Sequence, residues 1–191
     1  MSYLVIGAVA LLGVVFGVSA TSKLRAGRDF AASLRGLPLL PERWVRPVAA
    51  TLTASETLLA LGSAATVIAL VARSAGRPVA LAVLLIAGAL LLVLCAGIAL
   101  AIRQGTGGNC ACFGATDRPL GRRHLVRNGL LLLDVVLGLA GLGDGHHVQV
   151  AGGLIAVCAG ALVAAVLIHL DDLVELFAAS PTPASTTPAR R

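Results

Sequence analysis

Charge is scarce in this chain. Asp, Glu, Lys and Arg make up 13% of its 191 residues, while 58% are hydrophobic and the mean hydropathy is +0.94. A soluble domain carries roughly 25% charged and about 45–50% apolar residues. The chain therefore has more apolar surface than one small core can hide, and the sequence reads as an integral membrane protein. Aromatic residues are also few: four Phe, one Trp and one Tyr. A net charge of +6 and a pI near 10.1 could suggest nucleic acid. The basic residues flank apolar runs instead of forming a stripe, and there are too few rings for a stacking surface, so that reading is excluded. No polar stretch is long enough for a second soluble domain. The sequence contains no nucleotide-binding loop, no Ser/His/Asp arrangement and no convincing repeat. A β-barrel would need short alternating segments, and the apolar runs here are continuous.

Five such runs are present. A hydrocarbon core about 30 Å thick needs roughly 20 apolar residues in a helix. Tyr3–Ser22, Val45–Ala72, Pro78–Ile102, Leu125–Leu142 and Val148–Leu170 meet that need, the fourth being the shortest. Trp44 suits the interface at the start of the second, and Pro47 is expected in its first turn. Val18-Ser19-Ala20 has the small residues of a leader cleavage site, but no Lys or Arg precedes the apolar run, so it is read as a span. Gly13 and Gly17 form a G-x-x-x-G, expected to serve packing within the bundle. The Ser/Thr/Pro-rich end, Ser180 to Arg191, reads as disordered.

Lys and Arg favour the cytoplasmic side of short loops. The first loop carries Lys23, Arg25, Arg28, Arg35, Arg43 and Arg46. The third loop and the start of the next helix carry Arg103, Arg118, Arg122, Arg123 and Arg127. With five spans these lie on one side together with Arg190 and Arg191, against Arg73 and Arg77 on the other. Taken alone, this count places the third loop in the cytoplasm.

That loop holds Asn109-Cys110-Ala111-Cys112-Phe113-Gly114. Two thiols one residue apart at a membrane surface point to thiol–disulfide chemistry. In an extended chain their Cα atoms would be about 6.5–7 Å apart, at or beyond the usual disulfide range. Gly105, Gly107, Gly108 and Gly114 allow the segment to turn. A ring this small is strained and easily reduced, which suits exchange better than stapling. Arg118, Arg122, Arg123 and His124 follow, and positive charge favours a thiolate. A metal site of Cys110, Cys112 and His124 is the rival, but it lacks an evident fourth ligand. Cys95 and Cys158, inside spans, read as small buried hydrophobes.

Glu56 and Asp134 fall within spans, where an ionisable group must face the bundle interior and find a partner. Arg127 and Asp134 are seven apart, on one helix face, with Asn128 beside Arg127. The expectation is a polar cluster of Glu56, Arg127, Asn128 and Asp134 behind the cysteine loop. Its role is either to fix helix register or to serve as a proton relay or a pocket for a quinone-like molecule. His146 and His147 read as solvated loop residues, and His169 as an interface residue.

These residues resemble the methylamine-utilisation MauE family, within a wider DoxX-like group of small membrane proteins. The resemblance rests on Ser22-Lys23-Leu24-Arg25, the stretch Phe30 to Pro41, Glu56, and above all Cys110-Ala111-Cys112-Phe113-Gly114 followed by Arg127-Asn128. It covers residues 3–142. It implies a redox-associated protein of the cell membrane acting with a thioredoxin-like partner to mature an exported, disulfide-rich client, methylamine dehydrogenase. It also implies that the C-x-C loop faces outward, against the charge count. A looser likeness to vitamin K epoxide reductase suggests a quinone, but that enzyme uses C-x-x-C and a second cysteine pair, which are absent here.

The expected architecture is an all-α polytopic membrane bundle. A four-helix domain spans residues 1–142, a fifth transmembrane helix with its flank spans 143–176, and the disordered tail spans 177–191. The expected function is thiol–disulfide oxidoreduction through Cys110 and Cys112. The alternatives are a non-catalytic assembly subunit and a small-solute or metal transporter using Glu56 and Asp134.

Overall fold

The computed structural model describes residues 2–35, 41–72, 76–103, 122–143 and 149–170. All six elements among them are helices: α1 (Ser2–Arg25), α2 (Gly27–Arg35), α3 (Glu42–Val71), α4 (Gly76–Arg103), α5 (Arg122–Gly141) and α6 (Val150–Ile168). Every one except α2 is long and apolar enough to cross a membrane. The chain is a multi-pass membrane protein with an all-helical fold. The expected spans match these five helices to within a few residues at each end. One difference is at α3, which begins at Glu42, so Pro47 lies beyond the first turn.

The five long helices alternate in direction, and α1 is their centre. It is 61% buried across its apolar window, against at most 33% for the others. It packs on α3, α4, α5 and α6. Val9, Leu12 and Val15 of α1 form the main core with Leu84 and Leu91 of α4 and Leu131 and Val135 of α5. On the remaining helices large apolar side chains such as Leu58, Leu92, Val136 and Ile155 point outward. In lipid that arrangement has no hydrophobic cost, so helix association depends on close packing.

Glycine supplies that packing at two crossings. A side chain on Gly13 would come within 2.9 Å of the Ser63 Cβ, and one on Gly17 would touch Ala60. The G-x-x-x-G of α1 thus seats α3 within the chain, as expected. On the opposite face, a Cβ at Gly160 of α6 would run into the Gly7 carbonyl of α1. The Tyr3 ring covers Gly152, and its hydroxyl accepts a hydrogen bond from the Gln149 backbone N–H at 3.1 Å. α6 therefore runs parallel to α1 and contributes Ala164 and Leu167 to the core. Three threonine hydroxyls inside α3 are satisfied locally: Thr53, Thr57 and Thr66 donate to the carbonyls of Ala49, Thr53 and Gly62.

The helix α2 was not anticipated, because its segment read as a charged loop. It is amphipathic. Phe30 and Leu34, four apart, are buried against Val45 and Ala49 of α3, while Arg28, Asp29 and Arg35 are exposed. It lies across the end of the bundle where α1 finishes and α3 starts.

Candidate functional site: a polar cavity at one end of the bundle

At that end the last turns of α1 carry Ser19 and Lys23 on one face, four residues apart. Both are buried, with Ser19 at 0% and Lys23 at 4% exposure. Glu56 of α3 faces them, 2% exposed. The Lys23 ammonium donates to both Glu56 carboxylate oxygens at 2.6 Å and to the Ser19 Oγ at 2.7 Å. An ammonium has three donors and no acceptor, and here three acceptors meet it. This match is what allows an ammonium to be buried at this depth. Phe30 of α2 closes the arrangement, its ring centroid 5.3 Å from the Lys23 Nζ, within cation–π range.

The ion pair lines a cavity of about 260 Å³. Its walls are apolar: Val15 and Phe16 of α1, Leu34 of α2, Leu52 of α3, and Leu91, Leu94 and Ile98 of α4. His124, Arg127 and Asn128 of α5 complete the polar lining. Arg127 is buried, at 4% exposure. Glu56 is the one acidic residue on the wall among the described residues, and both its oxygens are engaged by Lys23. The polar lining is therefore rich in donors.

Three of the four residues expected to cluster, Glu56, Arg127 and Asn128, share this cavity. Asp134 does not line it. It lies about two turns further along α5, half-buried, and its Oδ2 has no hydrogen-bond partner among the described residues. Glu56 pairs with Lys23, a residue outside the expected cluster. Lys23, Ser19 and Phe30 are not legible as site residues in the sequence, because the apolar run stops at Ser22, whereas α1 continues through Arg25. One signal was available: Lys23 is the chain's sole lysine among fourteen arginines. Because Lys23 and Arg127 are buried, they drop out of the flanking-charge count. The excess of exposed arginines at this end remains, with Arg25, Arg28, Arg43, Arg46, Arg103 and Arg123 all at the surface.

Cys110 and Cys112 lie outside the described residues. The stretch that contains them joins α4 to α5, and the facing ends of those two helices supply Ala101, His124 and Arg127 to the cavity wall. Of the other cysteines, Cys95 is half-buried, whereas Cys158 is exposed on the outer face of α6 instead of being buried as expected. A small thiol facing lipid needs no polar partner, which makes this position tolerable.

Residues 1–141 match the family profile described as methylamine utilisation protein MauE. The chain is similar to the methylamine utilization protein MauE of Paracoccus denitrificans, at 31% identity over 163 residues, covering 84% of this chain and 80% of that one. No solved structure gives a significant match. The profile match takes in all four core spans and the relative is aligned over most of both chains, and the chain belongs to the MauE family.

Proposed function

We propose that the protein is a membrane thiol–disulfide exchange protein, with Cys110 and Cys112 as its redox pair. The observation that carries this reading is the position of the pair in the chain. The stretch from residue 104 to 121 is tethered at both ends to helices that line the polar cavity, and exposed Arg103 and Arg123 flank it. Positive charge at both attachments favours thiolate over thiol.

The exchange balances in two steps. A thiolate of a reduced client attacks one sulfur of an oxidised Cys110–Cys112 pair, forms a mixed disulfide and expels the other cysteine as thiolate. A second client thiolate then attacks the mixed disulfide. The client leaves with a new disulfide, and the pair is left with two electrons and two protons. A thioredoxin-like partner would reoxidise the pair by the same exchange. By the name of its relative, the process served is methylamine utilization, and the client suggested is an exported, disulfide-rich protein such as methylamine dehydrogenase. That client sets the localisation and orientation proposed: the cell membrane, with the 104–121 stretch facing outward.

Replacing Cys110 and Cys112 with Ser is the test. The account expects normal accumulation of the variant in the membrane and loss of disulfide formation in the client. Full client maturation with the double variant would refute exchange and favour a non-catalytic assembly role.

A further inference from the structure

The cavity opens sideways as well as lying at the bundle end. Val93 of α4 lines it and is 66% exposed, and Gly97, one turn on, lines it and is also exposed. A residue that both lines a cavity and stands at the protein surface marks an opening. Val93 is ten residues before the end of α4 at Arg103, so it lies roughly 15 Å along the helix from that end at 1.5 Å per residue. That is about half the thickness of a hydrocarbon core. The surface at that depth is lipid, not water.

The packing of α3 and α4 explains the gap. Their close approaches are at the other end, where a side chain on Gly62 would touch Val83 and one on Gly76 would press on Leu70. Towards the cavity, Val48 and Leu52 of α3 are half-buried on its wall. A Cβ built at Gly97 meets nothing within 4 Å.

We infer that the cavity is a binding site entered from the bilayer past Val93 and Gly97, for a lipid-soluble molecule with a hydrogen-bond-accepting head. The apolar walls fit the body of such a molecule. The head faces a lining of Arg127, Asn128 and His124, in which the sole carboxylate among the described residues is occupied by Lys23. Arg brings five donors and no acceptor, so the complementary group is a carboxylate, a phosphate or a quinone carbonyl. A cationic or donor-headed amphiphile is disfavoured by the same lining. The inference is independent of the thiol chemistry at Cys110 and Cys112.

The test uses the full chain in phosphatidylcholine nanodiscs and three photoreactive probes. These are a diazirine palmitate, an azido-ubiquinone, and a diazirine alkane of matched length without a head. Gly97→Phe places a ring at the opening, where the added Cβ meets nothing within 4 Å, and its melting temperature should match the parent's. Leu92→Phe, on the outer face of the same helix, is the control. Saturable labelling of the 93–101 peptide by either headed probe is expected, at least tenfold above the headless one. Gly97→Phe should cut it at least tenfold, and Leu92→Phe should leave it unchanged. Palmitate labelling alone would identify an anionic lipid as the ligand, and quinone labelling alone a redox carrier. Non-saturable labelling by both headed probes, equal labelling by the headless probe, or saturable labelling unchanged in Gly97→Phe would overturn the inference.

Discussion

Removing the charge of Glu56 should be among the most damaging single changes in the molecule. Lys23 and Glu56 side chains are each 3% exposed, and Glu56 supplies two of the three acceptors around the Lys23 ammonium. In Glu56→Leu the ammonium loses both carboxylate oxygens and its counter-charge, and keeps the Ser19 Oγ. Leaving one member of a buried ion pair uncompensated costs about 3–5 kcal/mol. At about 1.4 kcal/mol per tenfold, that lowers the folding equilibrium constant by two to three and a half orders of magnitude. Lys23→Met should cost a similar amount. The double variant Lys23→Met/Glu56→Leu removes both ions and refills their space with apolar atoms, so it should return to within about 1 kcal/mol of the parent or exceed it. Equilibrium unfolding in mixed micelles of the four proteins gives the coupling free energy. Single variants each costing less than about 1 kcal/mol, or losses that simply add in the double variant, would refute the reasoning that the pair is desolvated and mutually dependent.

Further consequences follow from the same geometry. Lys23→Arg puts five forked donors where three acceptors stand, and should cost about 1–3 kcal/mol in the same unfolding measurement despite conserving charge. Asp134→Asn should change stability by less than about 1 kcal/mol or raise it, because the Asp134 Oδ2 has no partner among the described residues to lose; a loss comparable to that of Glu56→Leu would contradict this placement. Gly160→Val must push α6 away from the Gly7 carbonyl, and should cost at least about 1–3 kcal/mol, read as a lowered midpoint and as new protease cleavage in α6. Cys158, exposed on α6, should react with a lipid-soluble maleimide faster than half-buried Cys95; the reverse order would contradict the packing of α6.

The five spans were legible because the bilayer imposes a long, coarse pattern, and an uninterrupted apolar run reports it directly. The close packing at Gly13 and Gly17 was legible for a similar reason, since small residues four apart on a span have few other uses. The helix α2 was not, because nine residues with three exposed charges look like a loop unless the Phe30/Leu34 spacing is weighed alone. Glu56 was legible as a residue needing a partner, but the partner, Lys23, was not. Lys23 looked like a flanking charge, and only the helical continuation of α1 turns it inward to meet Glu56. Arg127 and Asn128 reached the cavity because α5 begins beside it. Asp134 shares their helix but lies two turns away, where the walls belong to the main core and not to the cavity.

The central claim is that Cys110 and Cys112 exchange disulfides on the outer side of the membrane. A membrane-impermeant maleimide applied to intact cells, with and without prior reduction, tests it most directly. The background should lack Cys95 and Cys158, and single-cysteine variants keeping Cys110 or Cys112 serve as topology controls. The account predicts that the pair labels in intact cells only after reduction. Labelling that appears only after lysis would place the stretch in the cytoplasm, agree with the arginine excess and contradict exchange with an exported client.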